Sequence, residues 1–377
     1  MTFSPGATLG ILGNGQLGRM CAQAAHTMGY KVIALGPGDD SPTQQVTDIA
    51  FAADFSDLDA VRKFAKAADV VTLEFENIPV ETLNEVNRWA PLRPGCFVLE
   101  TTQHRIKEKT FLQNHGFPVT EFLEVNSLED LQKSVTQLDC SAILKTAAWG
   151  YDGKGQTTVE PTDDLTRIWA DMDTDAAILE AKVDFQNELS IMVARASDGH
   201  TVCYEPTLNI HRRHILDVSR ALGDFDNATI EDAQAIARGV VEALDVVGVL
   251  CVELFQTEGG KLLVNELAPR PHNSGHLTID AHVTSQFEQQ ARAACGLPLG
   301  DPTQQQPALM INLLGDLWQN AIPPWEKILA TPGCHLHLYG KHPAKVGRKM
   351  GHLTITGKTV NEVLSRASLV DHFLQRT

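Results

Sequence analysis

The chain has no apolar run approaching the roughly 20 residues of a membrane-spanning helix, so a membrane protein is not expected. Its start, Met1-Thr2-Phe3-Ser4-Pro5, lacks the basic segment of a secretion signal, which argues against export. No two of its seven cysteines form a Cys-x-x-Cys pair. Scattered and odd in number, they read as reduced thiols of a cytoplasmic protein, not as disulfides or zinc ligands. Positive charge is scarce as well: 31 Lys and Arg against 47 Asp and Glu leave a formal charge of −16, which disfavours nucleic acid as a partner. That scarcity reverses in one stretch. Between Glu326 and Glu362 no carboxylate occurs, while Lys327, Lys341, Lys345, Arg348, Lys349 and Lys358 accumulate. Such a segment suits either a solvated basic face or a site for a small phosphorylated molecule.

What is present is the make-up of a soluble enzyme. With 377 residues and 43% hydrophobic content the chain can bury a large core and divide into two or three domains. Thr8–Leu12 reads as a strand, and Leu17, Met20, Cys21, Ala24, Ala25 and Met28 form one stripe of a helix ending at Gly29. Lys31–Leu35 and Val70–Phe75 read as further strands. The pattern is βαβ, which predicts a parallel sheet with ligands at the carboxyl ends of its strands. The first turn, Gly13-Asn14-Gly15-Gln16-Leu17-Gly18, fits G-x-G-x-x-G and raises a dinucleotide-binding oxidoreductase. That reading needs an acidic residue closing the second strand, where Gly36-Pro37-Gly38 stands instead. A tight strand–helix turn, or amides offered to some other anion, are the alternatives.

Farther on, the predicted strand Ser141–Thr146 carries Lys145 into the glycine-rich loop Trp149-Gly150-Tyr151-Asp152-Gly153-Lys154-Gly155-Gln156, and a second strand follows. No helix follows and G-K-[ST] is absent, so this is not a Walker A loop. It suits a flap folding over triphosphate oxygens, or else a surface hairpin with an incidental lysine. Ala177–Val183 is a strand bearing Glu180, with Glu188 beyond it; a strand edge can offer backbone groups to a base, and a lone glutamate is as often merely solvated. Val249–Gln256 and Lys261–Leu267 flank the turn Thr257-Glu258-Gly259-Gly260. A hairpin closed there by an even-length loop places Glu253 and Glu266 on one face. Two like charges that close repel unless a cation lies between them, and an oxygen-only pair suits Mg2+.

Together these motifs resemble the ATP-grasp superfamily and, within it, the N5-carboxyaminoimidazole ribonucleotide synthetases. The resemblance rests on Gly13–Met20, Glu74-Phe75-Glu76-Asn77-Ile78-Pro79, Gly150–Gln156, Asn265–His276 and Gly347-Arg348-Lys349-Met350-Gly351-His352, in that order from about Gly10 to His352. It implies a mixed α/β and α+β architecture: a Rossmann-like N-terminal (pre-ATP-grasp) domain at 1–103, a small lid at 104–183 and a C-terminal α+β domain at 184–377, β-rich from about 334. It further implies carboxylation of aminoimidazole ribonucleotide with ATP and bicarbonate, Mg2+ as cofactor, and a homodimer.

Residue roles come with the resemblance. It implies Glu253 and Glu266 as metal ligands. ATP falls to Arg105, Lys145, the flap Gly150, Tyr151, Asp152, Gly153, Lys154, Gly155 and Gln156, the strand end Glu180, Ala181, Lys182 and Val183, then Glu188, His211, Asn265 and Glu266. It assigns bicarbonate chemistry to Arg270, His272 and Asn273, with Asp152 and His272 both open as the base for the substrate amine. The ribonucleotide falls to Gly15, Gln16, Glu76, Tyr151, Asp152, Lys154, Arg270, His272, Asn273 and Ser274, with Lys341 and Arg348 on its 5′-phosphate. His211 could equally be a core imidazole. Two departures stand out: Ala268 replaces an Asn common in the superfamily, and Ala147-Ala148 replace arginines frequent before the flap. A formyl or amino-acid ligase of the same superfamily is the runner-up function.

Overall fold

The computed structural model describes residues 1–38, 41–148, 155–319 and 321–376 and contains three sheets. The first holds β1 (Thr8–Leu12), β2 (Lys31–Gly36), β3 (Ile49–Ala52) and β4 (Val70–Leu73), all parallel, in the order β3-β2-β1-β4. Leu9, Ile11 and Leu12 of β1 have no exposed surface, as expected of a parallel strand covered on both faces.

The second sheet, order β5-β8-β6-β7, is antiparallel: β5 (Phe122–Val125), β6 (Ala142–Thr146), β7 (Gln156–Val159) and β8 (Ala177–Ala181). Helices Leu128–Leu138 and Leu165–Met172 cover it around a small core of its own, built on Leu131, Val135, Leu144 and Leu179. Ser127 starts the first of these helices by accepting from the Asp130 amide at 3.1 Å.

The third sheet has nine antiparallel strands: β9 (Phe185–Arg195), β10 (Thr201–Cys203), β11 (Thr207–Arg212), β12 (Ile215–Ala221), β13 (Gly248–Thr257), β14 (Leu262–Ala268), β15 (Ala308–Leu314), β16 (Cys334–Leu338) and β17 (Lys349–Thr356). Its order is β14-β13-β9-β11-β12-β15-β17-β16, with β10 beside β9. The helix Gln286–Cys295 joins it to the first sheet. Ser285 caps that helix on the Glu288 amide at 3.1 Å. Phe287, Ala291 and Ala294 pack with Leu9, Ile11 and Met20. Burying a side chain the size of Phe287 contributes on the order of 3 kcal/mol. Gln290 of the same helix bonds Thr72 of β4 and the Val249 amide of β13. The segment after β16 returns to the first sheet, where Tyr339 joins the same cluster and the Gln45 amide donates to the Gly340 carbonyl at 3.0 Å. Among the described residues no helix is long and apolar enough to cross a membrane.

Candidate active site

The carboxylate pair sits where β13 and β14 meet. Glu253 and Glu266 are direct cross-strand partners, but not through a simple even-length turn. Near the turn the pairs are Gln256↔Leu262, Phe255↔Leu263 and Leu254↔Val264, which would set Glu253 against Asn265. One extra residue in β14, a bulge at Asn265, shifts the register and brings Glu266 opposite. Bulges re-aim side chains in this way beside functional sites. Each acid meets a basic side chain: Arg105 donates to Glu266 at 3.1 Å, and His272 Nε2 lies 2.9 Å from Glu253. Burial disfavours the Glu253 charge, yet His272, His211 and Arg270 hold its carboxyl down at about 2. Two opposed carboxylates fit a hard divalent cation, and the Arg105 guanidinium stands against one of them.

Beside this pair runs a ladder of alternating charge. Lys145, on β6, donates to Glu180 of β8 at 3.0 Å, and Lys109 approaches the same oxygen at 3.5 Å. The Lys109 side chain is only 2% exposed and also donates to the Val264 carbonyl. Burial opposes the Glu180 charge, but the two lysines and Arg105 outweigh it and its pKa falls. The Glu180 carboxylate thus turns inward, towards the two lysines. Ala181 and Lys182 likewise spend their amides on the Glu121 and Ser141 carbonyls. Glu108, one position from Lys109, is buried and accepts from the Leu267 amide at 3.2 Å. Lys109 and Glu108 escaped the sequence reading because a helix of alternating charges looks solvated until its burial is known. Gly150, Tyr151, Asp152, Gly153 and Lys154 lie outside the described residues. Gln156 pairs with Lys145, and Gly155, at φ +69°, packs where a Cβ would meet the Thr146 hydroxyl at 2.7 Å.

Glu188 and His211 are bonded to each other across β9 and β11. They line a cavity of about 500 Å³ with Phe185, Asn187, Leu208 and Ile210, so His211 is no core imidazole.

The glycine turn at the end of β1 binds an anion, but that anion belongs to the protein. Glu74, at the end of β4, accepts from the Gly15 amide at 2.7 Å and the Gly18 amide at 3.2 Å. A Cβ at Gly13 or Gly15 would stand 2.3 or 2.8 Å from the Glu74 side chain, which explains why both are glycine. The dinucleotide reading fails here, since Glu74 occupies the place of a pyrophosphate. The Gly15 amide is thereby taken, while Gln16 opens the helix Gln16–Thr27. Burial raises the Glu74 carboxyl against those two amides and the nearby charges of Arg270 and Lys341. Glu76 grips Arg270 with both oxygens, at 2.7 Å for Nη2. The Arg270 fork expected to receive an oxyanion is thus half taken, leaving Nη1, which also reaches the Pro271 carbonyl at 3.2 Å. Lys341 lies over Tyr339, and Arg348 donates to the His342 and Pro343 carbonyls, each at 2.9 Å.

Ser274 is the clearest correction. It has no exposed surface, and its hydroxyl lies between Ser190 and His272 Nδ1, at 2.6 and 2.9 Å, so it touches protein instead of ligand. Neighbouring Asn273 is buried too, and its Nδ2 has no partner among the described residues.

Comparison with known proteins matches three family models in succession: a ribonucleotide synthetase preATP-grasp domain over residues 6–103, an ATP-grasp domain over 110–287, and a phosphoribosylaminoimidazole carboxylase C-terminal domain over 308–366. The N5-carboxyaminoimidazole ribonucleotide synthase of Bacillus subtilis is 42% identical over 358 residues, covering 95% of this chain and 93% of that one. Its counterpart from Brucella melitensis is 40% identical, covering 94% and 97%. A crystal structure of an N5-carboxyaminoimidazole ribonucleotide synthetase with ADP superimposes with a TM-score of 0.94 at 40% identity, covering 99% and 98%. The Aspergillus clavatus enzyme with ADP and 5-aminoimidazole ribonucleotide gives 0.90 at 31% identity, covering 99% of each chain. By sequence over 95% of its length and by fold, the chain belongs to the N5-carboxyaminoimidazole ribonucleotide synthase family of ATP-grasp enzymes.

Proposed function

We propose that this chain is an ATP-dependent carbon–nitrogen ligase that carboxylates 5-aminoimidazole ribonucleotide with bicarbonate in purine biosynthesis, yielding the N5-carboxyamino product, ADP and phosphate. The observation that carries the proposal is 42% identity across 95% of the chain to a synthase of that name. The Aspergillus structure, bound to ADP and aminoimidazole ribonucleotide, supports the same substrates. Neither a formyl or amino-acid ligase nor an oxidoreductase finds support among these relatives.

The chemistry explains the constellation. Bicarbonate is a poor electrophile because hydroxide leaves badly. Attack of its oxygen on the γ-phosphorus of ATP releases ADP and forms carboxyphosphate, which then loses phosphate to give carbon dioxide. The substrate amine attacks that carbon and surrenders a proton. In this reading Lys145 and Arg105 hold phosphate oxygens, and Glu188 and His211 hold the ribose in the cavity between β9 and β11. Glu180 to Val183 and Asn265 line the base and phosphates, and the flap Gly150–Gln156 excludes water from the labile intermediate. Glu253 and Glu266 hold Mg2+, which when bound offsets charge on the transferred phosphoryl group. Arg270, His272 and Asn273 surround bicarbonate, whereas Glu76, Gln16, Lys341 and Arg348 attend the ribonucleotide and its phosphate.

We place the part boundaries at 1–103, 104–183 and 184–377, in keeping with the three sheets; the matched preATP-grasp model also ends at 103, while the ATP-grasp model at 110–287 spans the second boundary. A cytoplasmic homodimer completes the proposal, supported by the family resemblance and by seven unpaired cysteines. The test is phosphate release from ATP with and without bicarbonate and aminoimidazole ribonucleotide. Release that needs both substrates is expected; release indifferent to bicarbonate would overturn the assignment.

A further inference from the structure

A polar stripe crosses the large sheet on the face that carries the two acids. Cross-strand pairing sets Glu266 against Glu253, Glu253 against Ser190, and Ser190 against Thr207, while Asn209 lies against Ser219. Ser190, Thr207, Asn209 and Ser219 are all buried, where apolar residues would ordinarily stand. Their side chains make a continuous run of hydrogen bonds. Ser219 Oγ donates to Asn209 Oδ1 at 2.9 Å, Asn209 Nδ2 to Ser190 Oγ at 2.8 Å, and Ser190 Oγ to Ser274 Oγ at 2.6 Å. Ser274 Oγ then lies 2.9 Å from His272 Nδ1, and His272 Nε2 lies 2.9 Å from Glu253.

The direction of this run is set at its His272 end. The Ser274 backbone amide, which can only donate, also points at His272 Nδ1, at 3.4 Å. Nδ1 therefore offers a lone pair, and the Ser274 hydroxyl turns its hydrogen there. Its oxygen is left to accept from Ser190, whose oxygen accepts from the Asn209 carboxamide. The Cys251 thiol also reaches Ser274, but sulfur is a weak partner and leaves the order unchanged. The Glu253 carboxylate, an acceptor, faces the other ring nitrogen. A ring held between a donor on one edge and an acceptor on the other has one tautomer and one orientation.

We propose that Ser274, Ser190 and Asn209 are positioning residues that grip the His272 ring by its Nδ1 edge and present Nε2–H to the reacting centre. His272 then serves as a hydrogen-bond donor to the carboxylate or to bicarbonate-derived oxygens, and removal of the amine proton falls to another group. The proposal rests on the functional reading above for what the donor faces, but not for how the ring is held.

The test uses full-length protein labelled with 15N-histidine. Two-bond proton–nitrogen spectra report which ring nitrogen carries the proton, and a His272→Gln variant identifies the signals. The expected result is a proton on Nε2 and an acceptor signal at Nδ1, which Ser274→Ala displaces strongly and Ser190→Ala, one link farther away, displaces less. A proton on Nδ1 in the wild type, or an Nδ1 signal that Ser274→Ala leaves in place, overturns the proposal. The kinetic counterpart is the ratio of carboxylated product to phosphate released, which should fall by about tenfold or more in Ser274→Ala, the usual range for loss of such a supporting partner. Loss of folded protein alone lowers both quantities together and leaves the ratio intact, so an unchanged ratio overturns the positioning role. Wild-type protein that forms no carboxylated product would sink the functional reading instead, and the ring spectra would still decide this one.

Discussion

Glu74 and Glu108 are carboxylates hidden from water and met in different ways. Glu74 is wrapped by two amides of a glycine turn, whereas Glu108 has one amide and stands close to Glu266. Burial, reinforced by the Glu266 charge, pushes the Glu108 carboxyl up to about 8. A raised folded-state pKa means that its contribution to stability is full below the ordinary carboxylate range and is lost as pH climbs towards 8. Glu108→Gln keeps an acceptor for the Leu267 amide without the charge. The variant should therefore gain thermal stability over the wild type at about pH 8.5 and differ little near pH 4.5. Equal shifts at the two pH values would show that folding does not raise the Glu108 pKa. For Glu266 the prediction is kinetic: Glu266→Gln should fold and lose ATP turnover by roughly a hundredfold, the usual cost of removing electrostatic stabilisation of a transition state. Near-normal turnover would take Glu266 out of phosphoryl transfer. The motif residues were legible in the sequence because their chemistry is local. The partners of Glu74 and Glu108, and the Ser190 partner of Ser274, were not, because each is tens to hundreds of positions away and only the fold brings them together.

Among the elements, the bulged hairpin is the one whose register decides function. Its strands and its turn could be read from apolar runs and glycines, and the facing of Glu253 and Glu266 was anticipated. The route was not: an odd-length turn compensated by an extra Asn265 has no signature in hydrophobic periodicity. The second sheet offers an element-scale prediction. Glu180 answers two lysines across β6, β8 and the helix Arg105–Asn114. Its removal strands Lys109, which is almost wholly buried, so Glu180→Ala should destabilise the protein by about 3–5 kcal/mol, read from denaturant midpoints. A loss below about 1 kcal/mol would mean that water or Glu108 takes over the charge.

On the scale of the molecule, the first and third sheets share one hydrophobic cluster, in which Leu12, Ile33 and Phe64 pack in continuity with Ile191, Val252 and Val264. The second sheet keeps a small core to itself. Amide exchange should accordingly be slow and concerted in β1, β4, β9 and β13 and faster in β5 to β8, with nucleotide slowing the second group more than the first. Uniform protection throughout would argue against a lid that moves on its own. The parallel and antiparallel halves followed from strand spacing and glycine turns, but the return of the final strands onto the first sheet depends on Tyr339 and Gln45, neither of which carries a pattern. The pairing of Arg105 with Glu266 also reaches across these units, from the helix Arg105–Asn114 to the edge of the large sheet. If Glu266 holds a metal as proposed, that guanidinium must let go, and Arg105 then needs another anion. Triphosphate oxygens provide one, and a bare ion does not. Under the proposed roles, a metal that arrives with its triphosphate would suit this site better than a free ion, because the nucleotide offers Arg105 a new partner as Glu266 is released.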